Sequence, residues 1–131
     1  MKPSTSAGII LLHGTGAHPD WPQVIYPLRT QLSEAGWRSL SLQLPILDNQ
    51  ASGADYDAIM PEAAPRILAG IEYFKKSGIK QMIIIAHSFG TLMSGDALLT
   101  PNNSVIGFIG IGMGGGTLNF LANWIFQCWI Y

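Results

Sequence analysis

The sequence predicts an α/β domain built on about four parallel strands, with helices on both faces. Largely apolar runs at 8–12, 80–86 and 105–111 look like strands buried on both sides. Helical periodicity fills the intervals, so strand and helix alternate along the chain, as in a layered domain with a parallel sheet. Right-handed crossovers then place helices on both faces, and the expected strand order is second, first, third, fourth.

Each element has its own justification. Gly8 to Leu12 ends at His13-Gly14 as a buried strand would, and "TGAHPDWPQ" is a breaker-rich loop. Val24 to Ala35 puts Ile25, Leu28 and Leu32 on one helical face, with Gly36 as the stop and Pro27 in the first turn. Trp37 to Leu44 alternates polar and apolar side chains before Pro45, as a second strand does. After the loop "PILDNQASGADYD", Asp57 is the expected cap of a helix running to about Ser77. Its core face is Ile67, Ile71 and Phe74, with Lys75 and Lys76 suited to its C-terminal dipole. Lys80 to Ala86 is the third strand, Gly90 to Leu99 a helix, and Val105 to Ile111 the fourth strand.

Composition narrows the function classes. Charged residues make up 11% of the 131 residues, against roughly 25% in soluble domains, and apolar residues 48%. A net charge of −1 gives no electrostatic case for nucleic acid or for a membrane surface. Cys128 is the single cysteine and reads as an incidental or buried thiol, so neither an internal disulfide nor a cysteine-based zinc site is expected. The N-terminal segment lacks the apolar length and cleavage site of a signal peptide, so a cytoplasmic location is the expectation.

The chemistry centres on "IIIAHSFGTL", residues 83–92. A serine hydroxyl attacks an acyl carbon only if a base takes its proton and the resulting oxyanion is stabilised. On a sharp strand-to-helix turn Ser88 would project from the top of the sheet, and that turn needs small neighbours, which Ala86 and Gly90 supply. The Phe89 N–H would then point at the developing oxyanion. The first strand ends in "HGTGAHPDW", where a second donor is needed; Thr15 is the expected one, with Gly14 and Gly16 allowing close backbone approach.

Together "IILLHGTG" and "IIIAHSFG" make the chain resemble an alpha/beta-hydrolase, with both motifs in family order. The "HGTGAHPDW" loop and "AGWRSLSLQLP" strand further resemble a bacterial hydrolase-like group of unassigned function. The match runs from about Gly8 to Gly116. It implies strands three to six of the family sheet and a Ser-His-acid mechanism, acting in a complete form on an ester or related acyl bond; no metal-ligand spacing appears in the sequence, and no cofactor is expected.

The sequence departs from that pattern too. The family order is serine, acid, histidine, yet no histidine follows His87, and the only acid after Ser88 is Asp96. Eight residues of helix put Asp96 about 12 Å from the turn, too far to orient a base there. His87 reads as a wall or core residue, His13 as a loop support, and His18 as the only stand-in base to consider. Asp20 reads as a loop staple. Gly110, Gly112 and Gly115 satisfy a dinucleotide-type glycine spacing, but no acid follows them, so the fingerprint is rejected.

These readings divide the chain into a partial alpha/beta-hydrolase core, 1–116, and an atypical apolar tail, 117–131. Asn119, Asn123 and Gln127 recur every four residues, as on a helix with one polar stripe. The abrupt loss of pattern reads more readily as a shifted frame or a cut gene, leaving a truncated member. Self-association through the sheet edge and the tail is expected. A membrane span over 105–130 is the outside reading, opposed by the glycines in its first half. Three functions follow: a serine hydrolase module, inactive or very weak in this form; a non-catalytic pseudoenzyme or binding module; and a small membrane-associated protein.

Overall fold

The computed structural model describes residues 6–112. Four strands, β1 (Ala7–Leu12), β2 (Arg38–Leu42), β3 (Gln81–His87) and β4 (Val105–Ile111), form one sheet in the order β2-β1-β3-β4. Every pairing is parallel. The α/β class and the strand order are those the sequence predicts.

Two apolar layers explain why the strands read as apolar throughout. Ile10, Leu12, Met82, Ile84, Ala86 and Phe108 point to one side of the sheet. There they meet Ile67, Ile71 and Phe74 of the helix α3 (Ala63–Lys76). The intervening residues Ile9, Leu11 and Ile85 point to the other side and pack with Ile25, Leu28 and Leu32 of the helix α1 (Ile25–Glu34). With successive strand side chains alternating between faces, a sheet covered on both sides needs apolar residues at consecutive positions.

Three element boundaries differ from expectation. The helix predicted from Asp57 starts earlier: α2 (Gly53–Ile59) is capped by Ser52, whose hydroxyl accepts from Asp55 N–H while the Asp55 carboxylate accepts from Ser52 N–H. That reciprocal pair satisfies two donors a helix start leaves open, and Asp57 falls inside the helix instead. The helix is then interrupted by a 3₁₀ turn, Met60–Glu62, because Pro61 has no N–H to continue the ladder; α3 follows. The helix predicted over Gly90–Leu99 is two short ones, α4 (Phe89–Met93) and α5 (Gly95–Leu99). They meet at Ser94, whose hydroxyl donates to the Thr91 carbonyl, followed by Gly95, a poor helix former.

At the far edge, Met82 pairs with Val105 and Ile83 with Gly107, so Ile106 is an extra residue in β4. Such a bulge turns the side chain away from the ladder, and Ile106 is 52% exposed. Residues 105–111 are strand, so the 105–130 window is not one helix, and no helix among the described residues is long and apolar enough to cross a membrane. The boundary at 116, the tail with Cys128, and Gly115 of the rejected glycine pattern lie outside the described residues.

Candidate active site

All four strands are parallel, so the loops after their C-terminal ends share one end of the sheet, where open α/β folds gather their sites. β3 runs directly into Ser88. Its N–H donates to the Ile111 carbonyl at 2.8 Å, and its carbonyl accepts from Thr91 N–H and Oγ at 3.0 and 2.6 Å. Fixed from both sides, Ser88 takes φ 51° and ψ −122°. For a non-glycine residue this is a sparsely populated conformation held only by its surroundings. Its outcome is an exposed serine at the tip of a strand-to-helix turn.

Close packing brings the end of β1 against that turn. A Cβ on Gly90 would lie 2.5 Å from the His13 carbonyl oxygen, and one on Gly14 would lie 3.1 Å from the Ser88 Cβ. The first is a contact that only glycine permits, and the second is tighter than ordinary packing. Thr15 and Gly16 follow at the exposed crest of a turn closed by Ala17 N–H donating to the Gly14 carbonyl at 3.3 Å, with Gly16 at φ 66°. Glycine at the third position of such a turn is the type II pattern. Phe89 begins α4, and the first N–H groups of a helix have no partner within it. α4 has only five residues, so its dipole adds less than a long helix would.

The three histidines have separate fates. His13 is 1% exposed. Its Nδ1–H donates to the Gly14 carbonyl at 2.8 Å, and its Nε2 accepts from the Leu44 N–H at 3.0 Å. Gln43 Nε2 lies 3.2 Å from the same Nε2 and donates to the Leu44 carbonyl. The ring therefore ties the loop after β1 to the chain leaving β2, and burial lowers its pKa. His18 is exposed; its Nδ1 accepts from Asp20 N–H at 3.2 Å, and its ring meets Trp21 edge-on. His87 has a buried Nδ1 with no hydrogen-bond partner among the described residues, lying 3.5 Å from where a Gly14 Cβ would be. Desolvation lowers its pKa as well.

The structure thus gathers Ser88, Phe89, Gly90, His13 and Gly14 at one place, with Thr15 and Gly16 on the adjoining crest. Asp20 is held away in an ion pair with Arg29 at 2.7 Å, and Asp96 is exposed at the start of α5. Two supports were not visible in the sequence. Gln43 and Leu44 reach His13 across 30 and 31 residues. Tyr56 stacks edge-on with Phe89 at 5.3 Å while its hydroxyl accepts from Leu47 N–H. Neither has a local pattern that marks it, since each partner is set by tertiary packing.

The fold and this turn together define the alpha/beta-hydrolase fold, and solved structures agree. A protein of unknown function from Agrobacterium tumefaciens, described as a candidate alpha/beta hydrolase, superposes with a TM-score of 0.61 at 20% identity, over 98% of this chain and 60% of that one. Polyneuridine aldehyde esterase matches with a TM-score of 0.58 at 18% identity, over 82% of this chain and 40% of its own. An extracellular alpha/beta-hydrolase from a Paenibacillus species gives 0.54 at 15% identity, with the same coverages of 82% and 40%. The chain therefore spans 60% or less of these relatives. Residues 3–65 match a family described as Protein of unknown function (DUF3530). No curated protein matches the sequence.

Proposed function

We propose that Ser88 is the nucleophile position of a serine hydrolase module for ester or related acyl bonds, with the N–H groups of Phe89 and Thr15 as its oxyanion donors. The observation that carries this reading is the strained Ser88 conformation, φ 51° and ψ −122°, beside a glycine loop at the end of the neighbouring strand. Such strain has no packing benefit of its own, and projecting a hydroxyl is what it achieves.

In these 131 residues the machinery is incomplete, and the chain acts as a very weak hydrolase or as a non-catalytic binding module. The second reading rests on the histidines. His13 has both ring nitrogens engaged. His18 accepts at Nδ1, so its neutral ring carries the proton on Nε2, where a general base needs a lone pair. In a serine protease, losing the histidine costs on the order of a million-fold in turnover, leaving roughly 10³–10⁴ over water.

A fluorophosphonate probe tests both readings, applied to this chain and to Ser88→Ala, with and without added imidazole as an external base. Slow labelling that imidazole accelerates and that Ser88→Ala abolishes is the expected result. Labelling indifferent to Ser88→Ala would remove the nucleophile assignment. Rapid Ser88-dependent labelling without imidazole would remove the claim of weakness and make His18 the next residue to replace.

A further inference from the structure

Between β2 and α3 the chain makes one long excursion, and residues 43–56 of it reach both proposed oxyanion donors. The first link runs through the glycine loop. Leu44 N–H and the Gln43 side-chain nitrogen both approach His13 Nε2, at 3.0 and 3.2 Å. A ring nitrogen that accepts a backbone N–H carries no proton, so in the neutral ring the proton sits on Nδ1. From there it is donated to the Gly14 carbonyl at 2.8 Å, which Ala17 N–H also reaches at 3.3 Å. Two donors thus fix the plane of the Gly14–Thr15 peptide, and a trans peptide points its C=O and its N–H in opposite directions. β1 lies between β2 and β3; the His13 ring is anchored on the β2 side, while Ser88 follows β3. A carbonyl held toward that ring turns the Thr15 N–H away from it. No hydrogen bond among the described residues occupies that N–H.

The second link is to Phe89. Tyr56 is 4% exposed, its ring meets Phe89 edge-on at 5.3 Å, and its hydroxyl accepts from Leu47 N–H at 3.2 Å. With five residues, α4 has few helical hydrogen bonds to hold the Phe89 backbone, so packing of the Phe89 ring supplies the missing restraint. The excursion is itself anchored to α3, where Arg66 donates to the Gln43 carbonyl at 3.3 Å.

We propose that residues 43–56 are the common scaffold of the two oxyanion donors, with His13 and Tyr56 as positioning residues. His13 turns the Thr15 N–H toward Ser88, and Tyr56 seats Phe89. This rests on the reading of Ser88 as the nucleophile position and adds what holds its two donors in register. Neither residue touches the reacting atoms; each acts through the backbone of another.

The test is NMR on the full chain, before and after Ser88 reacts with a fluorophosphonate in the presence of imidazole. In the unreacted chain the ring nitrogens of His13 should report a proton on Nδ1 and none on Nε2. The opposite tautomer overturns the proposal, whether or not any variant folds. After reaction, the Thr15 and Phe89 amide protons should move downfield as they meet the phosphonyl oxygen. His13→Leu should lose the Thr15 shift and keep that of Phe89, and Tyr56→Leu should do the reverse. Tyr56→Phe, which retains the ring, should keep both. Each leucine variant should slow the first-order phosphonylation step, by up to about 10²-fold for a displaced group, with reversible probe affinity unchanged. A change that only loosened the fold would weaken both shifts together, and that result overturns the proposal. So do shifts that survive in both leucine variants. If neither amide shifts in the unmutated chain, the donor assignment falls, and this proposal with it.

Discussion

Gly90 is where the candidate site depends most on a single missing atom. Alanine there would gain up to about 1 kcal/mol in helix propensity. Its Cβ would also sit 2.5 Å from the His13 carbonyl oxygen, a backbone atom that cannot turn aside. Overpacking of this kind costs about 1–3 kcal/mol, so the clash wins. Gly90→Ala should lower the urea midpoint and slow Ser88 labelling, whereas the change at Gly78, where a Cβ meets nothing but φ is 85°, should affect stability alone. Equal labelling by both variants would contradict the close-approach argument.

The buried histidines make a second residue-scale prediction. Burial lowers the pKa of His13 and of His87 below the ordinary 6.5. The unfolded chain therefore takes up protons near pH 6.5 that the folded chain refuses, and stability falls as pH drops below that value. At higher pH both states are neutral at these rings and the contribution is constant. Denaturant melts between pH 5 and 8 should show this slope, and His13→Gln should flatten it. An unchanged slope in that variant would mean that His13 is not among its sources.

At the scale of elements, the start of α2 separates what periodicity shows from what capping decides. Ser52 and Asp55 form the reciprocal cap, and the Ser52 backbone and hydroxyl hold the Asp55 carboxyl below its usual range. Ser52→Ala should therefore speed amide exchange at Asp55 and Tyr56, while Asp57→Ala should not. The reverse order would restore the cap read from the sequence. The core face of α3 was legible because Ile67, Ile71 and Phe74 recur at helical spacing and all three are buried. The start of α2 was not, because Ala54 and Ala58 carry no periodic signal and Ser52 lies in a stretch that reads as loop. Ser94 illustrates the same limit: a hydroxyl turned back on its own helix divides α4 from α5 without changing the hydrophobic pattern.

At the scale of the molecule, the described residues rest on a sheet of four strands. Among the described residues Phe108 is the largest fully buried side chain, and it belongs to the edge strand β4, packed in the layer beneath α3. Phe→Ala in a core costs about 3–5 kcal/mol, and a domain holds only about 5–15 in total. Phe108→Ala should abolish cooperative thermal unfolding or lower its midpoint sharply; a shift of only a degree or two would show that β4 is not integral to the fold. Global order was readable because apolar strands, crossovers and two motifs all point to one topology. The geometry of the candidate site was readable only in part: Ser88, Gly14 and Gly90 lie in motifs, but the grip of Gln43 and Leu44 on His13 exists only once β2 lies beside β1.

If Ser88 has the proposed nucleophile role, its backbone conformation sets folding and reactivity against each other at position 88. Glycine would relax a backbone strain of about 1–3 kcal/mol and lose about 0.5–1 of that to the greater freedom of the unfolded chain. Ser88→Gly should therefore leave the protein slightly more heat-resistant and chemically silent. A laboratory selection of random variants for thermal survival alone should enrich glycine at 88, and one that also demands reaction with an activated ester should keep serine. If serine persisted under both regimes, the strained turn would have to contribute to folding in some way that its backbone angles do not disclose.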